Sequence, residues 1–296
     1  MKLFKERQWG FVYGIIGVII FSVTLPATEI ALVGFSPMFV AFARLLVAGL
    51  AAIYYLYRFQ PPWPNLKQWV SLYKMGIGIA ICFPVLSSIA LAHANSAHGA
   101  VLISITPLMT AVFAVFLTGE RPSLRFWIFA ASGVILITVY SLTNQGVNRL
   151  EMDLAFLGAS VSAAYGYAHG GRLSRSMDAQ AVIAWSLVGL LPLAILMTVL
   201  SWPPTLPSEL LFPIVALVYL GLFSMFIGFF FWYEGLSRGG IAKVGQLQLL
   251  QPFFTLALSV ALLGQNLRAE AILFLVLVLI CVIYSQRSPV TERHLS

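Results

Sequence analysis

The polar residues best placed for solute chemistry lie inside long apolar runs. Arg44 stands eight residues into the second run, roughly 12 Å deep at a helical rise of ~1.5 Å per residue. A charge at that depth costs about 2.5–3.5 kcal/mol on insertion scales unless it is paired or hydrated. Two interpretations stay open: Arg44 binds an anionic group such as a substrate carboxylate, or it is held by Glu29 or by backbone carbonyls.

The ninth apolar run carries a group of polar residues before Pro252: Lys243, Gln246, Gln248 and Gln251. Gln248 and Gln251 share one helix face, and Pro252 leaves a carbonyl one turn earlier without its helical donor. These features predict an interior helix whose polar face meets a watery cavity. Hydrogen bonding between helices, without a ligand, is the alternative. The fourth run offers a matching set: Ser104, Thr106 and Pro107.

Further side chains are candidates for lining the same cavity. His169 lies in the sixth run, where a packing role is equally favoured. Six aromatic residues could stack on an aromatic or cationic solute, although most Trp and Tyr near span ends are interfacial anchors. They are Tyr13, Tyr165, Tyr167, Trp185, Trp232 and Tyr233. His93 and His98 are five residues apart, unlike the i, i+4 spacing of zinc ligands, and no carboxylate is near them in the sequence. No metal site is predicted.

The elements that must position these residues follow from composition. The chain has 296 residues, of which 60% are apolar and 9% charged, against about 45–50% and 25% in soluble domains. Barrel strands alternate with period two, and these runs do not. The sequence therefore predicts an all-α membrane protein, with the lipid bilayer as its surroundings and no nucleic-acid partner. Ten runs of spanning length are expected, at about 9–28, 36–57, 69–91, 97–118, 123–142, 153–172, 179–200, 210–234, 239–263 and 268–286.

Basic residues indicate the orientation. Of the 17 Lys and Arg residues, 12 fall in loops on the N-terminal side, two fall in the opposite loops, and three lie within the runs. Positively charged loops stay in the cytoplasm. We therefore expect a multi-pass protein of the plasma (inner) membrane with both termini cytoplasmic. No acidic residue lies in the middle of a run, so nothing directly supports carboxylate-based proton coupling.

The chain repeats internally. A shift of 145 residues places Pro107 on Pro252 and Gly119 on Gly264. The expected halves, residues 1–148 and 149–296, then hold five spans each, and an odd number makes them cross the membrane in opposite directions. Such five-plus-five inverted repeats are typical of secondary transporters that work by alternating access. A duplication that only builds a scaffold is the alternative.

These residues resemble the EamA family of the drug/metabolite transporter superfamily. The resemblance covers nearly the whole chain and rests on a Pro in the fourth span of each half, the pair Gly119 and Glu120, and Arg44 within Ala-Arg-Leu-Leu-Val-Ala. The second half departs from this pattern, because Gly264 is followed by Gln265 rather than Glu. The resemblance implies a basket-shaped fold with a central cavity, in a family that includes exporters of amino acids and related metabolites.

The leading prediction is a secondary carrier that exports small metabolites such as amino acids. The chain has no Walker-type loop, so no nucleotide or other cofactor is expected. A membrane-embedded enzyme is an alternative without catalytic residues to support it, since no His-Glu-x-x-His pair or Gly-x-Ser-Gly context is present. A channel is a third class, but no filter or ring of pore charges can be recognised. Monomer and homodimer are both compatible with the sequence.

Overall fold

The computed structural model describes residues 2–118, 121–143, 149–205, 209–266, 269–288 and 290–291. The described chain is helical except for its loops and a two-residue antiparallel pairing of Arg121–Pro122 with Val290–Thr291. This confirms the predicted all-α class. Gly119 and Glu120 lie outside the described residues.

The helices of the described residues fall into ten stretches, here α1 to α10. The first repeat contains α1 (Lys2–Ser22, continuing as Thr24–Leu32), α2 (Pro37–Phe59), α3 (Leu66–Gly76, Ile77–Cys82 and Phe83–Leu91), α4 (Ser96–Ile103 and Thr106–Thr118) and α5 (Leu124–Thr143). The second contains α6 (Arg149–Leu173), α7 (Ala179–Leu200), α8 (Leu211–Tyr219, Leu220–Ile227 and Gly228–Gly239), α9 (Ile241–Gly245, Gln246–Leu250 and Gln251–Leu263) and α10 (Ala269–Arg287).

Within the described residues, six of these stretches are long and apolar enough to cross a membrane: α1, α2, α3, α4, α7 and α8. The apolar parts of α5, α9 and α10 are shorter. The protein is therefore a multi-pass membrane protein, and the count of ten spans stays a prediction.

Local sequence signals explain where several helices begin and end. The Ser36 hydroxyl accepts the Phe39 N–H at 3.3 Å and starts α2, while a reciprocal capping box between Asn65 and Gln68 starts α3. At the end of α9, Gly264 adopts φ +61°, a left-handed conformation that glycine reaches at little cost.

Irregular turns recur at equivalent positions of the two halves. α3 is π-helical over Ile77–Cys82 and α8 over Leu220–Ile227, and a shift of 145 residues carries the first segment inside the second. α4 breaks at Ser104 and Ile105, and α9 narrows to a 3-10 helix over Gln246–Leu250, again at shifted positions. The repeat seen in the sequence is therefore also present in the backbone.

Helix pairing follows the same symmetry. α1 packs along α8 and α3 packs along α6, while α2 pairs with its counterpart α7 and α5 with α10. Small residues allow the close contacts: a Cβ on Gly10 of α1 would lie 2.6 Å from the Gly239 nitrogen of α8. A Cβ on Gly78 of α3 would lie 2.5 Å from the Ser162 carbonyl oxygen of α6.

Candidate functional site

Arg44 faces a narrow cavity inside the bundle, with about 340 Å³ of space that no atom fills. Residues of α1, α2, α3, α6, α8 and α9 line this cavity. The residue is 2% exposed. Its Nη2 donates to the Ser224 hydroxyl at 3.1 Å, whereas Nε and Nη1 have no partner. Among the described residues Arg44 forms no ion pair, and the pairing with Glu29 considered above is not present. This buried cation therefore has hydrogen-bond donors available for an anion.

A hydroxyl pair holds the guanidinium in place. The Ser224 hydroxyl, in the π-helical segment of α8, lies 2.8 Å from the Thr24 hydroxyl of α1. Both side chains are buried and both line the Arg44 cavity. Arg44 of α2 is thus linked to helices of both repeats.

The rest of this cavity wall is largely aromatic. Phe21 and Phe229 have ring centroids 4.9 Å apart, and Tyr167 lies 6.0 Å from Phe229. A carboxylate brought to Arg44 would therefore sit among apolar rings, where a charge-assisted hydrogen bond is stronger than in water.

A second cavity of about 270 Å³ adjoins the first, because Gln251 lines both. Its wall includes Thr106, Pro107, Gln248 and Pro252, so the interrupted helices α4 and α9 meet there. Gln248 is 3% exposed and its Oε1 has no hydrogen-bond partner. The second cavity therefore presents an unused acceptor near the unused donors of the first.

The two prolines shape this second cavity. Pro107 has no N–H to donate to the Ile103 carbonyl, and the Thr106 hydroxyl donates to that oxygen instead, at 2.7 Å. Before Pro252, the Gln248 carbonyl accepts the N–H of Gln251, as in a 3-10 turn. At each break, the carbonyl that loses its helical donor to the proline thus receives another hydrogen bond. Polar side chains of both helices line the cavity at the same point.

A third, wider cavity opens where α3 begins and α6 ends, on what we call the vestibule face. It is open to solvent and lies between α3, α4 and α6. Lys67, Lys74, His169 and Arg172 line it. His169 is therefore placed in this vestibule rather than in the Arg44 cavity, with its ring 4.4 Å from that of Tyr165.

The opposite ends of the helices are tied together by hydrogen bonds, on what we call the latch face. The Glu29 carboxylate accepts from the Gln265 side-chain amide at 2.7 and 2.9 Å and from the Ser96 N–H at 2.7 Å. Gln265 also accepts the Ala97 N–H at 3.2 Å. This Glu29–Gln265 latch joins α1, α4 and the end of α9.

A second tie on the latch face joins α4, α5 and α6. His98 Nε2 lies 2.6 Å from the Asp153 carboxylate, and His98 Nδ1 lies 3.0 Å from the Tyr140 hydroxyl. All three side chains are buried. No carboxylate is near His98 in the sequence, but α6 brings Asp153 to it from 55 residues away. The described residues contain no group of three or more metal-binding side chains.

Other residues singled out in the sequence lie away from these three cavities. Tyr13 stacks near Trp9 and Phe231, and Trp185 packs against Trp63 at 4.6 Å. Ser104 donates to the Val101 carbonyl. The side chain of Gln246 lies outside the described residues, as does that of Lys243.

Sequence reasoning missed the partners of Arg44. Thr24 and Ser224 are single hydroxyls in apolar runs, and nothing in their spacing distinguishes them from other serines and threonines. The internal repeat does not single out Ser224 either, because the equivalent residue of the first half is the apolar Ile79.

The chain is similar to known transporters in both of its halves. The model of the EamA-like transporter family matches the chain twice, at residues 8–142 and 150–285. The chain is 41% identical over 278 residues to an uncharacterized transporter of Bacillus subtilis, YdeK, covering 94% of this chain and 97% of that one. It is 27% identical over 231 residues to a chloroplastic WAT1-related protein of Arabidopsis thaliana, covering 74% of this chain and 55% of that protein.

A solved crystal structure has the same fold. It superposes with a TM-score of 0.68 at 20% identity, over 93% of this chain and 96% of that one. This similarity concerns the fold alone. The two family matches and the Bacillus relative confirm the resemblance drawn from the sequence: the chain belongs to the EamA-like transporter family and is a multi-pass membrane protein.

Proposed function

We propose that the protein is a secondary carrier that moves small carboxylate-bearing metabolites, amino acids among them, out of the cell. The observation that carries the proposal is Arg44, which is buried, unpaired by any described carboxylate, and directed into a cavity between the two repeats. A cation held in this way is costly unless an anion joins it. The substrate carboxylate supplies that anion.

The mechanism we propose is alternating access between two inverted repeats, divided near residues 148 and 149. The described conformation supports it, since the latch face is closed by hydrogen bonds whereas the vestibule face is open. Substrate reaches the Arg44 cavity from the vestibule face. The two repeats then exchange arrangements, the Glu29–Gln265 latch separates, and substrate leaves from the latch face. The vestibule face is the cytoplasmic one by the distribution of basic residues.

The acceptor of Gln248 extends the proposed site. A solute whose carboxylate binds Arg44 can place an ammonium or hydroxyl group toward the free Oε1 of Gln248 in the adjoining cavity. Both orphaned groups are then satisfied by one molecule, which favours amino acids and hydroxy acids over simple carboxylates.

The first prediction concerns Arg44→Gln in purified protein reconstituted into liposomes. We expect counterflow of a labelled carboxylate substrate to fall by about 100-fold, because a charge-assisted, water-excluded contact is worth roughly 1.5–3 kcal/mol. Arg44→Lys should be intermediate, since the charge stays while the two-pronged geometry is lost. Thermal unfolding and gel filtration show whether each variant is folded.

Arg58→Gln is the matched control, because Arg58 is an exposed arginine at the end of the same helix. It should transport at the wild-type rate. Wild-type flux by a folded Arg44→Gln protein would show that Arg44 does not hold substrate. Flux that never saturates and shows no counterflow would instead identify a channel.

A further inference from the structure

The vestibule concentrates positive charge in a space that is open to water. Lys67 and Lys74 reach it from α3, and Arg172 reaches it from α6, next to His169. Asn65 and Ser176 are among its polar lining residues. Lys67, Lys74 and Arg172 are all exposed. The charged side chains that line this wall, Lys67, Lys74 and Arg172, are therefore all positive.

These charges are not neutralised within the described chain. No acidic residue is among the described residues that line the vestibule. The ion pairs found among the described residues join His98 to Asp153 and Arg238 to Glu234, away from it. A concave site with one sign of charge raises the local concentration of solutes of the opposite sign.

The vestibule and the Arg44 cavity follow one another along the same two helices. Lys74 lines the vestibule and Ile79 lines the Arg44 cavity, five residues or about 7.5 Å farther along α3. On α6, His169 lines the vestibule and Tyr167 the Arg44 cavity. Next to Ile79 and Tyr167, the backbones of Gly78 and Gly166 pack closely. The contact lies in the π-helical segment of α3, a kind of irregularity frequent at functional sites.

We propose that the vestibule is a second anion site, which binds the carboxylate of a soluble solute through Lys67, Lys74 and Arg172 before it reaches Arg44. The identity of the solute rests on the proposed function, whereas the binding of carboxylate to the vestibule does not. Exposed cations bind weakly, so the site holds solute briefly and raises its rate of arrival at the Arg44 cavity. The attraction weakens with salt, because the Debye length is about 8 Å at 0.15 M.

The transport test compares Lys67→Gln/Lys74→Gln with wild type. We expect a KM for the carboxylate substrate about three- to tenfold higher, a nearly unchanged maximal rate, and a weaker dependence of KM on ionic strength. Arg58→Gln removes a cation from the end of α2, outside the vestibule lining, and should change none of these. An unchanged KM and salt dependence in the double variant would overturn the proposal.

A binding test separates this proposal from the carrier function. Trifluoroacetate, followed by fluorine NMR, is titrated onto the protein in nanodiscs of neutral lipid. Saturable broadening should persist in Arg44→Gln and weaken at least threefold in Lys67→Gln/Lys74→Gln. This result would stand even if no carboxylate were transported. Loss of all broadening in Arg44→Gln would overturn the vestibule site.

The same titration in nanodiscs containing an anionic phospholipid tests whether the vestibule instead binds lipid headgroups, which also carry anionic oxygens. Binding of trifluoroacetate at matched ionic strength should be largely retained if the vestibule serves soluble anions. Its abolition by the anionic lipid would assign the vestibule to lipid headgroups and overturn the proposal.

Discussion

Gln265 is an amide at the position where the first repeat, shifted by 145 residues, has the acid Glu120. Its side chain donates to both oxygens of the Glu29 carboxylate and accepts from the backbone of α4. A carboxylate at this position could not donate and would repel Glu29. The departure from the family pattern therefore has a structural reason, since an amide is what the Glu29–Gln265 latch requires.

The substitution Gln265→Glu tests this reason. We expect it to lower stability by about 1–3 kcal/mol, because two donated hydrogen bonds are replaced by repulsion between carboxylates. Thermal unfolding at neutral pH measures this loss as a lower melting temperature.

Asn266→Asp is the control, because it adds the same charge one residue farther on, at an exposed position. It should leave the melting temperature nearly unchanged. If both variants behaved alike, general electrostatics rather than the latch would account for the loss.

The limits of sequence reasoning are clearest at single residues. The cost of burying Arg44 marked it as a candidate from composition and depth alone, and the polar group before Pro252 marked Gln248 and Gln251. The contact between His98 and Asp153 could not be derived, because it joins residues 55 positions apart on helices whose pairing no local pattern encodes. Ser224 was equally hidden within its apolar run.

At the level of helices, α3 and α6 make a close backbone contact next to residues that line the Arg44 cavity. Gly78→Ala should force α3 and α6 apart at this contact. The new Cβ would lie 2.5 Å from the Ser162 carbonyl oxygen, a backbone atom that cannot rotate away. We expect a loss of about 1–3 kcal/mol in stability, as for overpacked cores, and slower counterflow. Thermal unfolding and initial rates measure the two effects.

Gly158→Ala is the matched control on α6. Its Cβ would lie 3.2 Å from the end of the flexible Leu86 side chain, which can move. This variant should keep its transport rate and its stability within about 1 kcal/mol, helped by the better helix propensity of alanine. Equal effects of the two substitutions would show that the contact of α3 with α6 has no special role.

The helices themselves were largely predictable. Apolar runs located each stretch to within a few residues, except that α1 begins earlier and continues further than expected, and α6 and α8 are also longer. Pro252 indicated the lost helical hydrogen bond in α9, whereas the break in α4 was not predicted. The π-helical segments were not predictable, because an extra residue per turn leaves no trace in hydrophobicity.

For the whole molecule, the pairing of α1 with α8 and of α3 with α6 places helices of both repeats around Arg44. Periodicity could not give this arrangement, since the spans are apolar on nearly every face. The internal shift of 145 residues predicted the symmetry between the two halves. The glycines at the helix contacts allow the helices to approach closely.

The predicted orientation is testable with reporter fusions in a bacterial host. A fluorescent protein that folds only in the cytoplasm, fused after Ser296, should fluoresce. Alkaline phosphatase, active only outside the cytoplasm, should be active when fused at Trp202, in the loop after α7. Exchanging the reporters between the two sites is the control and should silence both. Active phosphatase at the C-terminus would reverse the orientation and with it the assignment of the vestibule face.

The matching π-helical segments of α3 and α8 also bear on the history of the chain. Each contains more residues per turn than an α-helix, so the side chains that follow are rotated relative to a regular helix, by about 100° for each extra residue. Ile79 and Ser224, one from each segment, both face the Arg44 cavity. Their equivalent placement is what is expected if the π-helical segment was already present in a single repeat before that repeat was duplicated. The ancestral single repeat, pairing with a second copy of itself, would already have carried the rotation that turns these residues inward.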